Sequence, residues 1–220
     1  MKRWSAWAEL ERLGRAIKNA PYLKVAAIAG PGEPLANEAT FETMTMVREK
    51  FPGLKRCLST NGLLLPKKLG DLLETGVDSL TITINALDTK TGAEICSLVR
   101  YDGETFRGEE GAKLLIEKQV EGLREAVRSE IVVKINTVYI PGVNDEEISK
   151  IAELGGREGA SIQNVIPLIP LHNFSNLKAP TMEQLKSVRD RRGVHVRQML
   201  HCAHCRADAA GLLGRDIRLD

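Results

Sequence analysis

Aromatic side chains are scarce. Phe, Trp and Tyr make up 4% of the 220 residues, too few for a surface on which nucleic-acid bases stack. A dominant charge is missing as well: 31 basic and 29 acidic residues leave a net +2, so no strong field draws the chain to nucleic acid or to an anionic membrane. No apolar run approaches the length of a membrane span. Residues 1–12 carry Lys2, Arg3, Glu9 and Glu11 but not the apolar stretch of a signal peptide. The expectation is a cytoplasmic protein with no membrane and no nucleic acid among its partners. Cysteine is sparse too, four in all, and none precedes Cys57. In a reducing compartment these read as thiols or metal ligands rather than disulfides.

What is present is alternation. Helical spacing over 4–19 gives way to an apolar strand at 23–29, and the pattern then repeats. Helices are expected at 38–50, 66–75, 109–128, 145–158 and 181–191, with strands at 54–59, 78–84, 131–138 and 162–168. Apolar strands alternating with amphipathic helices mean βαβ units and a parallel sheet. Five strands do not close an eight-stranded barrel, so the fold is α/β, either an open sheet or a (βα) barrel without its first unit. At this length one domain buries about 70% of its unfolded surface. The expected division is a barrel over 1–192 and a tail over 193–220.

Each strand end carries something unusual. "IAGPGEPLAN" at 28–37 ends a buried strand with Gly30, Gly32, two prolines and one carboxylate, Glu33. Glycines permit positive φ and close approach of a ligand. A solvated Glu in a βα turn is the plainer alternative. "CLSTNG" at 57–62 offers Ser59, Thr60 and Asn61, and would equally serve as an ordinary turn. "TITIN" ends in Asn85, and "IPGVND" at 140–145 places Asn144 or Asp145 as the N-cap of the next helix. "NVIPLIP" adds Asn164 before two prolines. Together these loops line one end of a sheet, where α/β folds bind ligands.

The tail, "HCAHCRADAAGLLG" at 201–214, holds a C-x-x-C of Cys202 and Cys205 flanked by His201 and His204. Two thiolates at that spacing reach one metal or cluster. Zinc competes with iron–sulfur here, although no second C-x-x-C completes a structural zinc site. Cys57 is the plausible distant ligand. Cys96 reads as a small buried apolar residue, and His172 and His195 carry no motif.

Taken in order from residue 23 to residue 214, "AGPGEPLAN", "CLSTNGL", "TITINALD", "VKINTVYIPGVND", "NVIPLIP" and the tail closely resemble the NifB family of radical S-adenosylmethionine (SAM) maturases. The resemblance implies a partial (βα) barrel of the radical SAM type, with SAM and [4Fe–4S] clusters as cofactors. It implies nitrogenase iron–molybdenum cofactor biosynthesis, in which two four-iron clusters are fused around a SAM-derived carbide. By resemblance Gly30, Gly32 and Glu33 hold the methionine end of SAM, and Ser59, Thr60, Asn61 and Asn85 lie along it. Cys57 would ligate one substrate cluster, and Cys202 with Cys205 the other. Implied partners are iron–sulfur cluster donors and nitrogenase cofactor carrier or scaffold proteins.

One family feature is missing from these residues: the C-x-x-x-C-x-x-C that holds the SAM-cleaving cluster. The expectations that follow are a chain that does not cleave SAM alone and an unpaired strand edge at 23–29. The other readings are a non-catalytic iron–sulfur carrier and a zinc-stabilised α/β domain.

Overall fold

Five short segments, most of them alternating in polarity, build one parallel sheet. The computed structural model describes residues 6–30, 32–192, 195–200, 210–212 and 215–217. Helix α1 (Ala6–Asn19) leads into β1 (Val25–Ile28), and α2 (Glu38–Lys50) into β2 (Lys55–Thr60). Helix α3 (Leu65–Glu74) precedes β3 (Ser79–Thr83). After α4 (Thr89–Ile95) and the strands β4 (Leu98–Tyr101) and β5 (Glu104–Arg107), α5 (Gly108–Arg128) returns the chain to β6 (Val132–Tyr139). Helix α6 (Glu147–Glu158), β7 (Ile162–Pro167) and α7 (Met182–Arg192) follow, and a short antiparallel pair, β8 (Ala210–Leu212) and β9 (Arg215–Ile217), comes last. The sheet order is β1-β2-β3-β6-β7, parallel throughout.

Alternation sends Leu58, Leu80, Ile82, Val133 and Ile135 to the helix side. There they meet Met44 of α2, Leu65, Leu69 and Leu72 of α3, Leu123 of α5 and Ile151 of α6 in one buried cluster. At about 1.5–3 kcal/mol per fully buried aliphatic side chain, this layer is the main favourable term of the fold. The opposite face is different in kind. Its rows read Ala27–Cys57–Ser79–Val132, Ser59–Thr81–Lys134–Ile162 and Thr83–Asn136–Asn164, polar through the middle of the sheet and apolar toward its edges. Parallel sheets are ordinarily apolar on both faces. This one is not.

The expected elements are present with their ends shifted by a residue or two. Two features were not anticipated. The excursion after β3 contains α4, whose N-cap Asp88 accepts from Thr91 N at 2.9 Å, and the β4–β5 hairpin. That hairpin turns on Asp102 and Gly103, both at positive φ, and Asp-Gly is the hairpin signal the residues did carry. The second is an extension of the sheet beyond β7. A parallel bridge pairs Gln163 with Gln198, with Gln163 N donating to Arg197 O and Met199 N to Gln163 O. Polar side chains at 197 and 198 hid it from a hydrophobicity pattern. At the other edge, β1 pairs with β2 alone among the described residues, and Val25 is exposed.

The N-cap expected of Asn144 or Asp145 is not formed. Helix α6 begins at Glu147, with Glu146 before it making no side-chain cap. Asn144 instead turns inward, fully buried. No helix among the described residues is long and apolar enough to cross a membrane.

Candidate functional site

A parallel sheet places all its carboxyl ends along one rim, and a continuous set of hydrogen bonds runs along that rim here. It starts at Glu33, just past β1. Its Oε1 accepts from Leu35 N at 3.1 Å and from Thr60 Oγ1 at 2.5 Å, and its Oε2 accepts from Asn61 N at 2.7 Å. The loop after β1 is thus fastened to the end of β2. An ionised carboxylate has about four acceptor positions, so one remains. Gly32 sits at φ +92°, and a Cβ on either Gly30 or Gly32 would meet nothing within 4 Å. The loop therefore presents bare backbone beside the remaining acceptor position.

The Thr60–Gly62 turn is a self-satisfied unit. Thr60 Oγ1 accepts from Gly62 N at 3.0 Å, and Asn61 Oδ1 accepts from Leu63 N at 2.9 Å. Gly62 is held at φ +84° against Gln119, where a Cβ would come within 2.9 Å of the Gln119 side chain. Only glycine fits. Gln119, buried on α5, donates to both Asn61 O and Thr83 O at 2.8 Å, which joins the ends of β2 and β3. Sequence reasoning missed it, because a lone Gln within an amphipathic helix carries no motif.

Beyond β3 the rim continues through Asn85, whose Oδ1 accepts from Val138 N at 2.9 Å. Asn144 completes it. Its Oδ1 accepts from Ile140 N at 2.8 Å, and its Nδ2 donates to Asn85 O at 3.0 Å and Val138 O at 2.8 Å. Below, Glu147 accepts from Leu87 N and Asp88 N through Oε2 and pairs with Lys150 through Oε1 at 2.6 Å. Burial pushes the Glu147 carboxyl up, but Lys150 and the two amides outweigh it and hold it below its ordinary range.

The expected site residues therefore divide. Glu33, Thr60, Asn61 and Asn85 meet along the rim, with Gly30 and Gly32 in the loop above β1. Thr60 is buried on the helix side, its hydroxyl engaged by the loop, whereas Ser59 lies on the open face. Cys57 is on that face too, but three residues below the end of β2, about 10 Å at the usual strand rise. It belongs to the sheet floor rather than to the rim. Cys57 Sγ and Ser79 Oγ share a hydrogen bond of 2.5 Å. Cys96 is half-buried, its Sγ donating to Leu98 O at 3.3 Å. Cys202 and Cys205, with His201 and His204, lie outside the described residues.

The floor holds a second group that sequence reading did not assemble. Asn164 Nδ2 donates to Asn136 Oδ1 at 2.9 Å, and Asn164 Oδ1 is buried with no partner among the described residues. A buried acceptor left open costs about 1–3 kcal/mol, and a donor from a bound molecule would relieve it. The donor set fits SAM: a free carboxylate position and bare glycine backbone for an ammonium, amides and hydroxyls for a nucleoside.

The comparisons agree with this geometry. Residues 2–155 match the Radical SAM superfamily, so a SAM-type partial barrel is the class that fold and site define. The chain is 46% identical over 202 residues to the FeMo cofactor biosynthesis protein NifB of Methanocaldococcus jannaschii, covering 91% of this chain and 67% of that protein. It is 45% identical over 203 residues to the protein of the same name from Klebsiella pneumoniae, covering 89% of this chain and 43% of that one. Among solved structures, Streptococcus suis SuiB bound to S-adenosylmethionine superposes with a TM-score of 0.63 at 15% identity, over 87% of this chain and 40% of that one. The chain belongs to the NifB family of radical SAM proteins, and it spans between under half and two thirds of these two NifB relatives.

Proposed function

We propose that this chain forms the SAM-binding rim and a cluster-binding floor of a NifB-type maturase acting in nitrogenase cofactor biosynthesis. The observation that carries the reading is the Glu33-to-Asn144 network, which fixes one acidic turn and two amides above an open polar floor containing Cys57. Glu33, with Gly30 and Gly32, would hold the ammonium end of SAM. Ser59, Asn85 and the Asn136–Asn164 pair would line its nucleoside. A carboxylate facing an ammonium in a half-buried setting gives charge-assisted bonds stronger than neutral ones. When bound, SAM would supply a 5′-deoxyadenosyl radical on one-electron reduction by a [4Fe–4S] cluster, with cleavage of its sulfur–C5′ bond and methionine as the leaving group. The C-x-x-x-C-x-x-C for that cluster is not among these 220 residues.

Substrate iron–sulfur clusters need thiolates, and Cys57 supplies one from the floor. Cys202 and Cys205 would supply the pair for the second cluster. The product would be the eight-iron carbide core, received by a cofactor carrier or scaffold, with clusters delivered by iron–sulfur donor proteins in the cytoplasm.

Two measurements test the reading on the chain as it is. Titration calorimetry with S-adenosylhomocysteine is expected to show one site per chain, lost in Asn85→Ala. Anaerobic reconstitution with iron and sulfide is expected to give a brown protein that loses iron in Cys57→Ala and in Cys202→Ala/Cys205→Ala. No 5′-deoxyadenosine is expected under dithionite. A chain that binds neither the nucleoside nor iron, or one that retains a single zinc and takes up no iron, overturns the proposal.

A further inference from the structure

Among the described residues, Lys134 is a cation without a counterpart. It lies between Val133 and Ile135, both fully on the helix side, so alternation sends it to the polar floor. It sits in the middle of the sheet, opposite Thr81 of β3 and Ile162 of β7, and is half-buried. No hydrogen bond or ion pair to it occurs among the described residues. The polar strand positions around it on this face are Cys57, Ser59, Ser79, Thr81, Thr83, Asn136 and Asn164, the remaining ones toward the edges are apolar, and none is a carboxylate. The other cation on this face, Lys55, stands at the amino-end rim and is paired with Asp78 at 2.8 Å. Arg197, exposed beside the Gln163–Gln198 bridge, adds a second positive charge at the far edge. Taking an ammonium partly out of water with no compensating group is unfavourable. The floor is built as though the compensating charge arrives with the ligand.

We infer that Lys134 is an anion-recognition residue, supplying positive charge to a negatively charged ligand seated on the floor between β2 and β7. The inference rests on the reading above and adds to it a residue no motif marks. Cys57 and Lys134 are two strands and two residues apart, roughly 12 Å between their Cα atoms at standard spacings. A thiolate from one side and an ammonium from the other close on the space between them. Two anions share the required chemistry: a thiolate-ligated iron–sulfur cluster, which carries net negative charge, and the carboxylate of a nucleoside-linked amino acid.

The test uses Lys134→Met, which keeps the chain length and removes the charge, and Lys134→Arg, which keeps the charge. Far-ultraviolet circular dichroism verifies that both fold. In one arm each protein is reconstituted with iron and sulfide, desalted in rising salt, and assayed for retained iron. In the other, S-adenosylhomocysteine and 5′-methylthioadenosine, which lacks the carboxylate, are titrated by calorimetry. Lys134→Met is expected to weaken at least one probe tenfold or more, with Lys134→Arg within threefold of the unmodified chain. Loss confined to retained iron assigns the cluster. Loss confined to S-adenosylhomocysteine, with methylthioadenosine unchanged, assigns the carboxylate. Lys134→Met matching the unmodified chain in both arms overturns the inference while leaving the functional reading intact. An unmodified chain that takes up neither probe ends both.

Discussion

Thr60 donates its hydroxyl hydrogen to Glu33 across 27 residues of sequence, at 2.5 Å. With Asn61 N and Leu35 N on the same carboxylate, this makes Glu33 a structural clamp as well as a candidate ligand for SAM. The two roles need different oxygen lone pairs, and a carboxylate has enough for both.

Glu33→Ala removes three acceptor contacts and leaves a threonine hydroxyl and two backbone amides, of Leu35 and Asn61, without that partner at a half-buried position. The expected cost is about 2–3 kcal/mol of stability, since each abandoned polar group costs on the order of 1 kcal/mol or more. Urea denaturation should show the midpoint falling with the slope unchanged. A midpoint within error of the unmodified protein would show that the loop holds without the clamp.

Asn144→Leu should be more damaging. The side chain is fully buried and makes three bonds, to Ile140 N, Asn85 O and Val138 O. An isosteric apolar group strands all three partners, for an expected loss of about 3 kcal/mol or more. Amide exchange should report it first at Ile140, whose N–H bonds to Asn144 Oδ1.

Glu147 gives the rim an acid-sensitive attachment. Burial raises its pKa, Lys150 and the amides of Leu87 and Asp88 together lower it by more, and the net folded value lies below the ordinary 4.5. A carboxyl depressed on folding contributes stability that is complete above its unfolded pKa and is lost as pH falls through the folded one. Urea midpoints should therefore decline from about pH 5 downward, about where an unfolded glutamate begins to protonate. In Glu147→Gln the decline should be shallower from a lower plateau. Parallel pH curves for the two proteins would remove Glu147 from the account.

Much of the fold was legible because burial on one face imposes alternation. Leu58, Leu80, Ile82, Val133 and Ile135 announce strands through their spacing, and the helices opposite show the complementary stripe. The rim loops were legible for a different reason: glycines and prolines around a single acid are rare without a cause. Connectivity was harder. Nothing at Asn144 distinguishes a buried bridging amide from an N-cap, since both uses want a short polar side chain before a helix. Gln119, Lys134 and Asn136 were silent because their meaning lies in which strand ends or neighbours they face across the sheet. Cys57 was legible as a thiol but not as part of the floor, because depth along a strand depends on where pairing ends.

Gly122→Ala tests the packing that carries the rim from behind. A Cβ there would come within 2.8–2.9 Å of three atoms of Leu65, where α5 crosses α3. Overpacking at such a contact costs about 1–3 kcal/mol, against about 1 kcal/mol gained from helix propensity. Net destabilisation is expected in thermal melts. An unchanged or raised melting temperature would show that the two helices can slide apart at no cost.

The β sheet divides its labour by side-chain parity. Residues aimed at the helices decide whether the chain folds, and those aimed the other way contribute little to that decision. Exchanges at Ser59 or Thr81 should thus leave melting curves almost untouched while altering what the protein can hold, so these inward positions are free to be rewritten for a different cargo.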